Sequence, residues 1–256
     1  MKTAVLFDLD GVIYQGSQLI PGALDTISLL QKQGIPFRFI TNTTRMTQQN
    51  LLKKLVDMGL PVQLDQVFAV PHAAIAYCRS KTYTRIRLVV PDREMEDDFT
   101  EFTLTKENPE AVILGDMGAG FTFELLNEIF QNLLGGAELI ALHKNKYWHS
   151  GSGLTLDVGP FVSALEFASE KKAAIIGKPS PHLFRLAVQN WSLPPEEMYM
   201  VGDDLDGDIG GANSVGMKSV LVKTGKFRQE TVDCSKIVPR YIISSVAELP
   251  DLLHIR

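Results

Sequence analysis

Residues 3–11 read Thr-Ala-Val-Leu-Phe-Asp-Leu-Asp-Gly, and this stretch decides the fold class. The short apolar run before Asp8 is typical of a buried strand in an α/β protein. Asp8 and Asp10 follow one residue apart, and their like charges would repel each other unless a cation lay between them. Carboxylate oxygens suit Mg²⁺, and Gly11 lets the backbone turn sharply. Taken alone, the same letters also fit an ordinary turn.

Three further segments carry polar or charged residues directly after predicted strands. Thr41-Asn42-Thr43-Thr44 offers hydroxyl and backbone N–H groups to phosphate oxygens, and Gly177-Lys178-Pro179 offers a positive charge. Residues 203–208 place four acids within six residues, which indicates a metal site. Each segment also has an ordinary explanation, as a helix cap, a solvated lysine or an acidic loop.

The order of these four segments along the chain favours a single site. Each follows the end of a predicted parallel strand, where open α/β sheets bind ligands. Strands are predicted at 3–8, 35–41, 173–176, 198–201, 218–222 and 241–244, and helices at 21–33, 47–58, from 181, and at 206–215.

The middle of the chain predicts a second, smaller sheet. Its strands are predicted at 88–90, 111–114 and 139–142, and its clearest helix at 122–134, with Thr122 as the N-cap. We therefore predict a core domain built from residues 1–79 and 176–256, and an inserted α/β domain at residues 80–175.

Composition excludes several classes of protein. The 256 residues carry a net charge of −5 and give no sign of nucleic-acid binding. No apolar run reaches the roughly 18–20 residues of a membrane span. The apolar run near the N-terminus is short and ends in acids, unlike a secretory signal peptide. Two widely spaced cysteines argue against a disulfide framework and suit a cytoplasmic protein.

Four motifs carry a resemblance to a known family. Residues 8–16 (DLDGVIYQG), 40–45 (ITNTTR), 176–181 (IGKPSP) and 201–212 (VGDDLDGDIGGA) resemble the ordered motifs of the haloacid dehalogenase (HAD) superfamily. The insertion resembles the large α/β cap, of the C2 type, in the NagD-like subgroup. This resemblance implies a Rossmann-like parallel-sheet core, an inserted α/β cap and a Mg²⁺-dependent phosphatase that acts on small phosphorylated metabolites.

The cap sequence points to one branch of the subgroup. Ser152-Gly153-Leu154, residues 156–160 and Ala164-Leu165-Glu166 resemble the branch that holds phospholysine phosphohistidine inorganic pyrophosphate phosphatase. A phosphoamide or pyrophosphate substrate is therefore an alternative. Some members of that branch lack the second aspartate of the first motif, but this chain keeps it as Asp10.

The resemblance also assigns roles to individual residues. It implies that Asp8 attacks phosphorus to form an aspartyl-phosphate, and that Asp10 acts first as general acid and then as general base. The implied Mg²⁺ ligands are Asp8, the backbone carbonyl of Asp10, and Asp203. The implied phosphate-binding residues are Gly11, Thr41, Asn42 and Lys178. The acids expected to bind the metal's water ligands or Lys178, without touching the metal, are Asp204 and Asp208.

A loop of the inserted domain offers candidates for substrate specificity. Lys144 and Lys146 would pair with a second anionic group of the substrate, and Trp148 would stack on a ring. The same loop equally suits a solvated segment or a dimer contact, and dimers formed through the cap occur in the resembling family.

Other chemistries fit this sequence less well than a phosphatase does. A dehalogenase needs neither the metal nor Asp10, so the acids at 203–208 argue against it. A phosphomutase has similar chemistry, but the large cap disfavours it. A receiver-like phospho-acceptor is much shorter and has no such insertion. A non-catalytic phosphate-binding protein would not be expected to keep every catalytic position.

Overall fold

The protein has two separate parallel sheets, which confirm the predicted α/β class. The structure is a computed structural model that describes residues 3–44, 46–150 and 153–255, without the side chains of 148–150. The strands are β1 (Ala4–Phe7), β2 (Tyr14–Gln15), β3 (Gln18–Leu19), β4 (Phe37–Thr41), β5 (Val67–Ala69), β6 (Arg85–Val89), β7 (Thr103–Leu104), β8 (Ala111–Leu114), β9 (Glu138–Ala141), β10 (Tyr147–Ser150), β11 (Gly153–Leu156), β12 (Ala174–Ile175), β13 (Met198–Gly202), β14 (Lys218–Val222) and β15 (Tyr241–Ile243).

The helices alternate with these strands for most of the chain. They are α1 (Ala23–Lys32), α2 (Gln48–Asp57), α3 (Val70–Ser80), α4 (Phe123–Leu134), α5 (Val158–Ser169), α6 (Pro181–Val188), α7 (Gly211–Ser214), α8 (Gln229–Cys234) and α9 (Leu249–Leu252). Within the described ranges, no helix combines the length and the apolar composition that crossing a membrane requires.

The larger sheet places β1 at its centre. Its strand order is β15-β14-β13-β1-β4-β5, and β1 runs parallel to both β13 and β4. Every residue of β1 is fully buried, as expected for a strand covered on both faces. Phe7 is level with Val201 of β13 and Phe39 of β4. The residues that follow β1 and β13 therefore emerge side by side at one edge of the sheet.

The smaller sheet has the order β12-β9-β8-β6-β7, with all its pairs parallel. Helices α4 and α5 pack against it through a cluster of buried aliphatic side chains that includes Leu114, Ile129 and Val162. Thr122 caps α4 as predicted, because its hydroxyl accepts a hydrogen bond from Leu125 N at 3.2 Å.

Contacts between residues divide the chain into two compact units, one for each sheet. The first comprises residues 1–41, 48–68 and 178–256, and the second comprises residues 42–47 and 69–177. Helix α3 and the short segment after β4 group with the second unit, although the predicted core domain includes nearly all of both. The predicted domain bounds, and the reading of the second unit as an inserted cap, stay predictions.

Two predicted elements need correction. The strand predicted at 173–176 belongs to the C-terminal alternation by its pattern but falls mostly within the predicted inserted domain, and the structure pairs it, as β12, with β9 in the smaller sheet. The predicted helix at 206–215 is two elements, a π-helical turn at Leu205–Gly210 followed by α7. The π turn forms because Ile209 N donates to the carbonyl of Asp204, five residues back, at 3.2 Å.

Candidate active site

Asp8 lies at the carboxyl end of the central strand. Its backbone N–H donates to the carbonyl of Val201 at 2.9 Å, so the pairing of β1 with β13 extends up to this residue. Asp8 is only 8% exposed. A buried carboxylate needs a compensating charge, and the surrounding residues of the first unit supply it.

Lys178 provides that positive charge. Its Nζ lies 2.6 Å from Asp8 Oδ1 and 2.7 Å from Asp208 Oδ1, and the lysine is 5% exposed. Burial alone would lower the pKa of Lys178, but the charges of Asp208 and Asp8 outweigh burial and raise this pKa above its usual value. The lysine is therefore a fixed ammonium between two carboxylates.

Three buried acids of the first unit lie within metal-binding distance of one another. One carboxylate oxygen from each of Asp8, Asp203 and Asp208 lies within 4.8 Å of the other two. Burial, together with the charges of Asp8 and Asp208, raises the pKa of Asp203 to about 7. Burial also raises the pKa of Asp208 to about 7, although Lys178 opposes the shift. The positive charges of the protein therefore do not fully offset the negative charge of these three acids.

Asp203 has a buried oxygen that no described residue satisfies. Its Oδ2 accepts a hydrogen bond from the backbone N–H of Lys226 at 2.7 Å, whereas its Oδ1 is buried and accepts none. A buried, unpaired carboxylate oxygen is destabilising unless a ligand binds it. This oxygen, with the two acids beside it, fits a hard divalent cation.

Two glycines allow the backbone to approach the Asp203 carboxylate. Gly11 has φ +83° and Gly225 has φ +59°, and a Cβ on either would lie 2.2 Å or 2.0 Å from Asp203 Oδ2. The Thr224 hydroxyl donates to the carbonyl of Gly11 and ties the two loops together. Only glycine fits these two positions, for reasons of both space and backbone conformation.

The loop after β13 holds the remaining acids. Asp204 Oδ1 accepts hydrogen bonds from Asp206 N and Gly207 N, and Asp204 Oδ2 pairs with Lys226 Nζ at 2.9 Å. Although burial alone would raise it, the charge of Lys226 and these hydrogen bonds hold the pKa of Asp204 below its usual range. Asp204 therefore stays ionised and fixes the loop.

The π turn aims Asp208 back at the sheet. Asp208 Oδ2 accepts from Asp204 N at 3.1 Å, and its side chain lies against Gly202, where a Cβ would come within 2.2 Å of Asp208 Cβ. This packing buries Asp208 completely and holds it against Lys178.

Asp10 differs from Asp8, Asp203 and Asp208 because its side chain is exposed. Its neighbour Tyr14 is buried and closes the turn, with Tyr14 O accepting from Gly11 N at 2.7 Å. Burial, assisted by the charges of Asp10 and Asp8, raises the pKa of Tyr14 above its usual value, so its hydroxyl stays neutral. Lys54 of α2 lies over the Tyr14 ring, with Nζ 3.8 Å from the ring centroid.

The two predicted phosphate-binding residues of the second motif belong to different units. Thr41 ends β4 in the first unit and is 8% exposed. Asn42 groups with the second unit, where its Oδ1 packs so closely on Gly177 that a Cβ there would lie 2.6 Å away. Their joint role in phosphate binding stays a prediction.

The specificity candidates all lie in the second unit. Lys144 Nζ pairs with Glu166 Oε2 at 2.5 Å, and Glu166 is 8% exposed. Lys146 is exposed, and the side chain of Trp148 lies outside the described residues. Lys144 is thus engaged within its own unit, which favours a structural role for it over substrate binding.

Sequence reasoning missed Gly225, Lys226 and Lys54. A usable signal existed for the first two, since Thr224-Gly225-Lys226 comes soon after β14 in the same sheet. No comparable signal marked Lys54, because lysines on the exposed sides of amphipathic helices are ordinary.

Comparisons with known proteins agree with this geometry. A family model described as haloacid dehalogenase-like hydrolase matches residues 5–105, and a second described as HAD-hydrolase-like matches residues 175–249. Haloacid dehalogenase-like hydrolase domain-containing protein 2 from Pongo abelii is 40% identical over 236 residues, which cover 92% of this chain and 89% of the relative.

Two further matches refine the comparison. Phospholysine phosphohistidine inorganic pyrophosphate phosphatase from Xenopus laevis is 34% identical over 257 residues, which cover 98% of this chain and 94% of the relative. The solved structure of NagD from E. coli K-12 superposes with a TM-score of 0.85 at 25% identity, over 96% of this chain and 97% of that one. These matches confirm the resemblance drawn from the four motifs.

Proposed function

The chain belongs to the haloacid dehalogenase-like hydrolase family and is a phosphatase near its NagD-like members. On that premise we propose that it uses Mg²⁺ to hydrolyse small phosphorylated metabolites through an aspartyl-phosphate on Asp8. The observation that carries the proposal is the position of Asp8, which lies 2.6 Å from the Lys178 ammonium and beside two further buried acids.

Asp8 is placed to act as the nucleophile. Its carboxylate ends a rigid, fully buried strand, so its position is fixed before the substrate arrives. Attack by a carboxylate oxygen forms a mixed anhydride with the phosphoryl group and splits one difficult displacement into two easier ones. Lys178, already beside Asp8, offsets the negative charge on the phosphoryl oxygens during transfer.

The acid cluster fits Mg²⁺. We propose that Asp8, Asp203 and the backbone carbonyl of Asp10 hold the ion, while Asp208 stays paired with Lys178 beside it. When bound, the metal offsets the charge of the phosphoryl oxygens and of the acids themselves. The unsatisfied Asp203 Oδ1 and the raised pKa of Asp203, about 7, both fit a ligand that brings positive charge.

Asp10 is proposed as the general acid–base. Its exposed side chain can meet the leaving-group oxygen from the solvent side and donate a proton to it. The ionised Asp10 then accepts a proton from the water that hydrolyses the aspartyl-phosphate. Such a residue typically contributes about 10²–10⁴-fold to the rate.

A phosphoamide or inorganic pyrophosphate remains the second candidate substrate. The relative from Xenopus laevis, whose name gives those substrates, is similar to this chain over nearly its whole length. Formation of a homodimer through the cap and a cytoplasmic location stay predictions from the sequence.

Turnover of p-nitrophenyl phosphate by the purified protein tests the proposal. We expect hydrolysis with Mg²⁺, none after exhaustive EDTA treatment, and recovery when Mg²⁺ is restored. Ca²⁺ should support much less activity, because it accepts more ligands and looser geometry and so holds the nucleophile less strictly. Full activity after EDTA treatment would contradict the metal requirement, and no activity under any condition would contradict the function.

A further inference from the structure

Lys54 lies beside the turn of residues 10–14, which carries Asp10, and the proposed chemistry assigns no role to this lysine. It lies on α2, one residue before the buried Leu55, and its ammonium rests on the face of Tyr14 at 3.8 Å. Tyr14 is the residue whose carbonyl closes the loop through Gly11 N. The lysine is thus fixed to the structure that carries Asp10.

Apart from the Tyr14 ring, the Lys54 ammonium contacts no hydrogen-bond acceptor or acid within the described part of the chain. It forms no hydrogen bond and no ion pair with the described residues, although it is half-buried. The adjacent Lys53 contrasts with it, since Lys53 is exposed and pairs with Asp57 at 2.6 Å. A cation over an aromatic ring is stabilised, but its three N–H donors are left for water or for an anion.

The contact with Tyr14 places this charge near Asp10, because a backbone bridge pairs Asp10 with Tyr14. Burial lowers the pKa of Lys54, and the charge of Asp10 partly offsets that effect. Because Asp10 is the proposed donor to the leaving-group oxygen, a cation near Asp10 would lie on the leaving-group side of the proposed site.

We propose that Lys54 is a specificity-determining residue, which binds a second anionic group, a carboxylate or a phosphate, on the leaving group of the substrate. This inference rests on the proposed phosphatase function and narrows its substrate class. The competing explanation is that Lys54 only covers Tyr14, in which case its aliphatic stem matters and its charge does not.

The test compares substrates that differ by one anionic group. Propyl phosphate is the reference, 3-(phosphonooxy)propanoate adds a carboxylate, and propane-1,3-diyl bisphosphate adds a phosphate. The wild type should show a higher kcat/KM for at least one of the two anionic substrates than for the reference, and which one it favours identifies the anion. Lys54→Met keeps the stem over Tyr14 and removes the charge, so it should reduce this preference about fivefold, as expected for a charge pair near the surface.

The loss should fall on KM with kcat unchanged, because the charge pair is lost equally from the bound substrate and from the transition state, while p-nitrophenyl phosphate turnover stays near wild type. Lys54→Arg should retain most of the preference. Lys53→Met is the matched control and should leave it unchanged, since Lys53 is exposed and already paired. A preference that is absent in the wild type, unchanged in Lys54→Met, or equally reduced in Lys53→Met would overturn the inference.

A measurement on the wild type alone guards against a variant that fails to fold. Salt screens such a pair, so raising NaCl to about 1 M should reduce the preference for the anionic substrate. A preference that does not respond to salt would also overturn the inference. If the wild type hydrolyses neither p-nitrophenyl phosphate nor propyl phosphate, both the proposed function and this inference are wrong. If turnover is normal but Lys54→Met leaves the preference for the anionic substrate unchanged, only this inference is wrong.

Discussion

Gly11 shows at the scale of one residue how tightly the site is built. A Cβ at this position would lie 2.2 Å from Asp203 Oδ2, and φ is +83°. We expect Gly11→Ala to displace the Asp203 carboxylate and reduce kcat/KM about a hundredfold, the typical effect of moving a catalytic group by about 1 Å. Steady-state kinetics and Mg²⁺ titration would measure the change.

Gly16→Ala is the control for backbone strain. Gly16 also has positive φ, +63°, but nothing lies within 4 Å of its Cβ position. This variant should lose about 1–2 kcal/mol of stability, the usual effect of a side chain in the left-handed region, and keep its activity. Equal kinetic losses in both variants would show that strain, and not contact with Asp203, explains the effect.

The sequence predicts the charged residues of the site better than the residues that support them. Asp8, Lys178 and Asp203 stand out in the sequence because a charged residue close to a buried apolar strand loses hydration free energy. Such a residue is therefore expected to pair with another charge or a ligand. Gly225 approaches Asp203 from a loop that follows another strand, and Lys54 reaches Tyr14 from a helix. Both contacts depend on tertiary packing, which a single sequence does not display.

At the scale of an element, helix α5 depends on a lysine from the loop between β9 and β10. Glu166 is 8% exposed, and it pairs with Lys144 Nζ at 2.5 Å and accepts from Ala173 N at 3.0 Å. Lys144→Ala leaves a buried carboxylate without its cation, so we expect the free energy of unfolding to fall by about 1–3 kcal/mol. Chemical denaturation would measure it.

Lys146→Ala is the matched control for Lys144→Ala. Lys146 is two residues away and exposed, so its removal should leave stability unchanged. If Lys144→Ala instead keeps full stability and raises KM for a metabolite but not for p-nitrophenyl phosphate, the lysine binds substrate, as the sequence first suggested, and the structural role is wrong.

Some helix boundaries differ from the prediction because a backbone angle or a side-chain hydrogen bond, which the sequence pattern does not show, sets where the helix begins. Helix α1 starts at Ala23 and not at Pro21, because Gly22 has φ +83°, which is not helical. The predicted helix at 206–215 opens as a π turn because Asp204 caps it and Asp208 bends back to Asp204 N. Strands β8 and β14 match their predicted bounds, since β8 is an unbroken buried apolar run and β14 ends in one, at residues 220–222.

At the scale of the whole molecule, the acid cluster links stability to pH and metal. The pKa of Asp203 and that of Asp208 are raised to about 7, whereas an unfolded aspartate titrates near about 4. Between these values the metal-free folded protein binds more protons than the unfolded chain. Its free energy of unfolding should therefore fall as the pH rises through this window, with the loss complete above about pH 7.

This linkage predicts that Mg²⁺ stabilises the protein more at high pH. Below the raised pKa values the ion must displace protons, and above them it meets ionised acids. We expect the increase in Tm on adding MgCl₂ to be larger at pH 8 than at pH 6, with NaCl at equal ionic strength as the control. An equal increase at both pH values would contradict a metal bound by these carboxylates.

The fold of the whole chain brings Asp8, at the end of the first strand, to a lysine 170 residues later. The sequence predicts this convergence through the alternation of strands and helices, because parallel strands end at a common edge. It does not show which sheet the strand before Lys178 joins, and that strand belongs to the smaller sheet. A two-residue strand carries too little pattern to show which sheet it joins.

Capture of the phosphorylated enzyme tests the central claim most directly. The Asp10→Asn variant lacks the proposed general base, but p-nitrophenolate leaves without a proton, so the first step should proceed while hydrolysis slows. Mixing the variant with p-nitrophenyl phosphate and Mg²⁺ should give a burst of p-nitrophenol about equal to the enzyme concentration. Mass spectrometry after acid quenching should place the phosphoryl group on Asp8, and Asp8→Asn should show neither burst nor label. A burst with the label on another residue, or steady turnover by Asp8→Asn, would contradict the account.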